Sequence, residues 1–290
     1  MLVSLSYRPR GSIVERIDPR ARWIFSILML FAIVQFWDIR FLLFFFILAL
    51  AQYVATRLTW QETHQAWILI AIIVASMVII NTLITSSGTV GQAMQGGHPV
   101  LALQFRVPLV GWLIKFSLTV ERLWFALAQM LRVLSIALMF MVIPFTMDPR
   151  IYGITFRGMG VPDRLAFTMD LAFRFIPTLS RDFSVTMDAQ RARGYEIERT
   201  SGGLIAQVRK VVPLIVPVTM NSILTGEDVA NAMDLRCFGL HARTWIQKLS
   251  YRWYDYLVIG VSIAVLVASL LVQPIFHIGG FWVPAWIIPG

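Results

Sequence analysis

Residues 23–55 read WIFSILMLFAIVQFWDIRFLLFFFILALAQYVA, and this stretch decides the kind of protein at hand. From Trp23 to Trp37 only Ser26 and Gln35 interrupt the apolar side chains. Asp38 and Arg40 mark a short turn, and a second apolar run follows from Phe41 to Ala55, ending at Arg57. Two such runs predict a tight helical hairpin in a bilayer. The first is short against the roughly 20 residues of a typical span, so it draws on flanking residues or sits in a locally thinned membrane.

The rest of the chain repeats the theme. Of 290 residues 58% are hydrophobic and 14% charged, against about 25% charged in a soluble domain, which excludes an ordinary soluble fold. Mean hydropathy is +0.71, and the apolar runs recur: Ala66–Ile84, Trp124–Phe145 and Tyr256–Val272 each read as a crossing. Between the third and fourth crossings lies a turn-rich segment, Ser86 to Pro108, expected outside the bilayer core. After it, Val110–Val120 reads as an interfacial or re-entrant helix. From Met147 to Tyr254 apolar residues persist at helical spacing, but charges interrupt them every few positions, so this segment reads as amphipathic helices. The tail after Val272 is uncharged and rich in Pro, Gly and Trp, as suits a membrane interface. The expectation is an all-α polytopic membrane protein with about five transmembrane helices. It has three parts: an N-terminal transmembrane region (1–145), a cytoplasmic or interfacial helical region (146–253) and a C-terminal transmembrane helix with its tail (254–290).

Charge sets the orientation. The formal net charge is +9, and 22 of the 25 bases are Arg, the lysines being Lys115, Lys210 and Lys248. Five crossings with a cytoplasmic N-terminus assign 20 of those bases to the cytoplasm: Arg8 to Arg22, Arg57 and all from Arg150 to Arg252. Arg40, Arg106, Lys115 and Arg122 fall outside, a distribution that obeys the positive-inside bias. Arg132 falls within a span, where a charge costs about 2.5–3.5 kcal/mol on insertion scales, so it needs a partner, Glu121 or a polar group on another subunit. The first apolar run lacks a small-residue cleavage site and reads as a retained span.

Within the amphipathic region the chain nearly repeats itself. Ala189-Gln-Arg-Ala-Arg193-Gly-Tyr195 returns 43 residues later as Ala232-Met-Asp-Leu-Arg236-Cys-Phe238. Each copy ends an expected long helix, Asp163–Arg193 and Leu204–Arg236, with Gly194 and Gly239 as natural terminators. Each helix then presents one Arg near its tip, where the dipole favours a cation and the planar fork can hold a partner's carboxylate or carbonyl. Simple C-terminal charge complementation is the plainer use of such residues. Small neighbours, Ala192, Gly194 and Cys237, would let a tip enter a groove.

Four segments, Phe173-Arg-Phe-Ile-Pro177, Ala189 to Gly194, Pro213-Leu-Ile-Val-Pro217 and Ala232 to Gly239, together resemble the transmembrane T component of energy-coupling factor transporters. Ile17-Asp-Pro-Arg20 resembles that family's entry into its first span, and Gly160-Val-Pro162 the turn before its long coupling helix. The likeness covers roughly residues 13 to 272 and is weakest from Ser86 to Arg122. It implies a membrane scaffold that joins two ATP-binding-cassette ATPases to a small substrate-binding membrane subunit for uptake of a vitamin or metal ion. It also implies that Ala192-Arg193-Gly194 and Leu235-Arg236-Cys237 tip the helices that dock in the ATPases. The second motif keeps Arg but departs from Ala and Gly at its flanks.

Other residues bound the chemistry. No G-x-x-x-x-G-K-[ST] occurs, so ATP and its Mg²⁺ belong on partner chains, and no cofactor is expected on this one. Cys237 is the sole cysteine, excluding an intrachain disulfide, and His64, His98, His241 and His277 lack metal-ligand spacing. Pro177, Pro213 and Pro217 are expected to kink their helices, as hinges or static bends, with Gly226 adding local freedom. Leu165, Phe167, Met169, Leu171, Phe173 and Ile176 make an apolar face, either core or a platform for another subunit. The competing reading is a membrane-embedded enzyme acting on lipid or phospholipid head groups through interfacial Arg. It lacks a cluster of acid, base or nucleophile within the spans. A complete permease is opposed by the paucity of intramembrane polar residues.

Overall fold

A computed structural model describes residues 10–84, 99–106, 113–195, 204–241 and 245–276, and side chains over 10–80, 124–195, 211–241 and 245–272. The described residues form eight α-helices: α1 (Pro19–Gln35), α2 (Ile39–Ala55), α3 (Trp60–Ile84), α4 (Val120–Thr146), α5 (Tyr152–Gly158), α6 (Asp163–Ala192), α7 (Leu204–Leu235) and α8 (Trp253–Phe276). One antiparallel pair of strands, β1 (Pro99–Arg106) and β2 (Leu113–Thr119), stands between α3 and α4. The helices form two compact units, one within residues 148–249 and one built from the chain before and after it.

In the unit that holds α1–α4 and α8, three helices are long and apolar enough to cross a bilayer, over Trp60–Ile80, Trp124–Thr146 and Trp253–Val272. The remaining two, α1 and α2, have 17 residues each, about 25 Å of helix, the short end of the spanning range. Helix α1 packs against α8, and α2 against α4. Met29, Ile33, Leu42, Leu138 and Met139 are fully enclosed between the helices, while Phe44, Ile47, Leu69, Ile72 and Leu270 stand out of the surface. A soluble protein could not leave such a belt of large apolar side chains uncovered. The chain is a polytopic membrane protein.

Short Asp-x-Arg sequences start these helices. Asp18 accepts the N–H of Arg20 at 2.9 Å and caps α1, whose first residue, Pro19, has no N–H to leave open. Asp38 does the same for α2 through Arg40 at 3.0 Å. The Asp18 site is also a latch between the first and last helices. Its carboxylate holds the Arg20 guanidinium through Nε at 3.1 Å and Nη2 at 3.0 Å, and its own N–H donates to Asp255 Oδ1 at 2.9 Å. Asp255, 1% exposed, takes the Arg252 N–H on its other oxygen at 2.7 Å and so closes the start of α8. Arg20 lies 3.8 Å over the ring of Tyr251, and burial raises the Tyr251 phenol above its ordinary pKa. The Asp-Pro-Arg motif therefore has a structural explanation independent of any family likeness.

The buried arginines find backbone partners. Arg132 donates through Nη2 to the Phe36 carbonyl, just past the end of α1, and its guanidinium lies 4.1 Å over the Trp37 ring. The sequence suggested Glu121, whose side chain lies outside the described residues. Arg22 donates through Nη1 to the carbonyl and hydroxyl of Thr146, both at 3.0 Å, joining the start of α1 to the end of α4.

The helix expected over Val110–Val120 is instead strand β2, paired with β1 in a register that opposes Leu103 to Phe116 and Phe105 to Ile114. The reason is visible in Ile114-Lys-Phe-Ser-Leu-Thr119, where apolar and polar residues alternate with period two. Helix α4 follows from Val120 without a break in numbering. Much of the turn-rich segment, 85–98 and 107–112, and the tail from 277 lie outside the described residues.

Candidate functional site: two capped helix tips on one hairpin

Residues 148–249 contain all the positions expected to carry function. Asp148 caps a short 3-10 turn through the Arg150 N–H at 2.9 Å, and α5 follows. Gly160, at φ +101°, ends α5, with Val161 N–H donating to the Phe156 carbonyl at 3.1 Å. Pro162 then leads directly into α6, so Gly160-Val-Pro162 is a true turn. Gly153 lets α5 lie against α6: a Cβ there would stand 2.6 Å from the Ala166 carbonyl oxygen and 2.7 Å from Asp170 Cβ.

The two near-repeats end their helices in the same way. At the end of α6, Gly194 N–H donates to the Arg191 carbonyl at 2.9 Å and Tyr195 N–H to the Gln190 carbonyl at 3.0 Å. At the end of α7, Cys237 N–H donates to Asp234 at 2.9 Å and Phe238 N–H to Met233 at 3.0 Å. Each is a Schellman cap, with the residue after the Arg in the left-handed conformation, Gly194 at φ +81° and Cys237 at φ +53°. Arg193 and Arg236 thus occupy the same cap position, both exposed. Among the described residues neither guanidinium has an ion-pair partner.

This corrects one expectation. The terminator of α7 is Cys237, and Gly239, at φ +100°, lies two residues beyond. The Gly and Cys of the motifs are placed first by backbone geometry, since only a residue that accepts positive φ can close such a cap. Glycine does so freely; cysteine does so at a cost of roughly 1–2 kcal/mol.

The structure keeps the two tips apart. Helices α6 and α7 form an antiparallel pair, with Asn221 Nδ2 donating to Asp182 Oδ2 at 3.0 Å partway along. Phe238 packs on Phe167, ring centroids 4.7 Å apart, so the Arg236 tip lies beside the start of α6. Arg193 is 26 residues further along α6, about 40 Å at 1.5 Å per residue. One hairpin therefore carries two equivalent cations at opposite ends. Leu235, 87% exposed, and the exposed Ala192 flank them without burying them.

Pro177 lies inside α6, and Pro213 and Pro217 inside α7, without ending either helix. They leave the carbonyls of Phe173, Arg209 and Pro213 without their usual helical donors. The apolar face of α6 divides. Phe173 stacks on Tyr152 with centroids 4.9 Å apart and Phe167 on Phe238, whereas Leu165, Met169 and Ile176 are exposed. On α7, Val212, Ile215, Val216, Met220 and Leu224 are exposed as well. Sequence reading missed His241, Arg150 and Arg174, which stand around a cleft beside the second tip. Arg150 stands in a short 3-10 turn, Arg174 in the middle of α6 within the Phe173–Pro177 segment, and His241 beyond the end of α7, with no shared motif to link them.

Comparison with known proteins gives a consistent result. The family model described as cobalt transport protein, CbiQ, matches residues 11–246. A protein of Ruminiclostridium cellulolyticum named energy-coupling factor transporter transmembrane protein EcfT is 22% identical, covering 93% of this chain and 96% of its own. Proteins of the same name from Clostridium kluyveri and Brevibacillus brevis are 26% and 27% identical, over 91% and 90% of this chain and 94% of each relative.

Proposed function

Since the chain belongs to the CbiQ cobalt transport protein family, as a transmembrane component of energy-coupling factor transporters, we propose that its α6–α7 hairpin couples two ATPase subunits to a small substrate-binding membrane subunit. The observation that carries this reading is the pair of identical Arg-bearing caps about 40 Å apart. Two like tips so far apart suit two like grooves, one on each of two ATPases. An exposed Arg at a helix C-terminus is suited to a partner carboxylate, and such a charge-assisted contact contributes roughly 1.5–3 kcal/mol.

In this reading the hairpin and the N-terminus face the cytoplasm, which the distribution of 20 of 25 bases favours. Hydrolysis of ATP, with its Mg²⁺, occurs on the partners, because this sequence has no phosphate-cradling loop of its own. Closure and opening of the ATPase pair moves the tips, and the helices yield at Pro177, Pro213 and Pro217, where backbone hydrogen bonds are missing. The exposed apolar residues of α6 and α7 form the surface against which a vitamin- or metal-binding subunit is reoriented.

Purification of the tagged chain from its native host should bring down two ATPases and one or more small apolar membrane subunits. Their identity would report the substrate. Arg193→Ala or Arg236→Ala should weaken ATPase retention about tenfold or more, and the double variant should abolish uptake. Normal uptake by the double variant would sink the assignment.

A further inference from the structure

Beside the second tip, residues 148–249 enclose a cleft of about 940 Å³, the size of a small-molecule site. Three arginines line it, Arg150, Arg174 and Arg236, against one acidic residue, Asp170, which Arg174 meets at 3.0 Å. Among the described residues that leaves a surplus of two positive charges with His241 neutral, and neither Arg150 nor Arg236 is ion-paired there. Trp245, another lining residue, has its indole Nε1 buried without an acceptor among the described residues.

The opposite character shares the same walls. Ile154, Phe167, Phe173 and Phe238 supply apolar and aromatic surface. At the rim, Ile246 is fully exposed at 101% and nearby Leu240 is 73% exposed, apolar side chains that water alone would not favour there. Along the chain, Arg150 follows Thr146, the last residue of α4, by four positions, and Gln247 precedes Trp253, the first of α8, by six.

We propose that this cleft binds an anionic phospholipid, its phosphodiester held by Arg150 with Arg174 beside it and its glycerol and upper acyl chain lying on the aromatic wall. Guanidiniums favour a phosphate through forked hydrogen bonds, and that of Arg150 is unpaired among the described residues. The surplus charge favours an anionic lipid over a zwitterionic one, and the apolar wall and rim favour a lipid over a free ion. The assignment goes beyond the coupling role, which gives the Arg236 guanidinium to an ATPase and leaves it to add only its charge to the cleft, so the test uses the other two arginines.

The test is native mass spectrometry of the full chain in neutral detergent, with equimolar dioleoylphosphatidylglycerol and dioleoylphosphatidylcholine, scoring the first lipid bound. The native chain should prefer phosphatidylglycerol by about tenfold or more, and Arg150→Glu should bring the ratio near parity. Arg150→Gln and Arg174→Gln should each reduce it, and they keep the comparison informative if the charge reversal does not fold. Equal binding of the two lipids by the native chain would overturn the proposal, as would a preference that survives all three variants. Displacement of phosphatidylglycerol by millimolar inorganic phosphate would assign the cleft to a soluble ion and likewise overturn it.

Discussion

Exchanging the residues that follow the two arginines tests the cap geometry with opposite signs. Gly194 sits at φ +81° and Cys237 at φ +53°, each donating its N–H into the end of its helix at 2.9 Å. An L-residue in this region costs roughly 1–2 kcal/mol, while replacing Gly by Ala recovers about 0.4–1 kcal/mol through the unfolded chain. Gly194→Ala should therefore weaken the α6 cap by about 1 kcal/mol net. Cys237→Gly should strengthen the α7 cap by a few tenths up to about 1 kcal/mol by the same arithmetic reversed. Hydrogen exchange of the Tyr195 and Phe238 amides, which close the two caps, reads the local opening free energy. Exchange at Tyr195 should quicken about fivefold in Gly194→Ala, and exchange at Phe238 should slow in Cys237→Gly. Unchanged or slower exchange at Tyr195, or faster exchange at Phe238, would refute the argument that these positions are chosen for positive φ.

Two further substitutions test the packing that holds the site. Gly153→Ala should destabilise residues 148–249 by about 1–3 kcal/mol, because its Cβ would meet Ala166 backbone at 2.6 Å, where nothing flexible can move aside; a thermal melt in detergent reads it. Asp255→Ala should cost about 2–4 kcal/mol by stranding the N–H groups of Asp18 and Arg252, and Asp255→Asn should cost less because one acceptor oxygen remains. Equal melting of the Ala and Asn variants would show that the α1–α8 latch does not depend on both bonds.

Much of this architecture is written in local pattern. The runs around Trp23–Trp37, Ala66–Ile84 and Tyr256–Val272 read as helices because long apolar stretches between charged turns leave few alternatives, and the ends of α6 and α7 fall within a residue of the expected Arg193 and Arg236. Strand β2 was legible too, in the alternation from Ile114 to Thr119, but its proximity to a spanning helix favoured the helical reading. What pattern alone does not carry is distance. Arg132 finds Phe36, 96 residues away, because a guanidinium inside a span takes whichever open carbonyl the packing brings near. The separation of Arg193 from Arg236 is likewise tertiary: a 43-residue spacing gives no direction, and only the antiparallel return of α7 along α6 puts the tips at opposite ends. The cleft brings Arg150, Arg174 and Arg236 together from three segments, none of which has a motif for it.

The central claim, that one hairpin engages two ATPases at once, is most directly tested by cross-linking in the assembled transporter. Ala192→Cys and Leu235→Cys, exposed positions that leave both arginines in place, made in a Cys237→Gly background, would each carry a short cysteine-directed cross-linker, with products counted by mass. Each single substitution should capture one ATPase and the pair together should capture two on the same chain. Capture of only one ATPase by the doubly substituted chain, or of none at either position, would contradict the account.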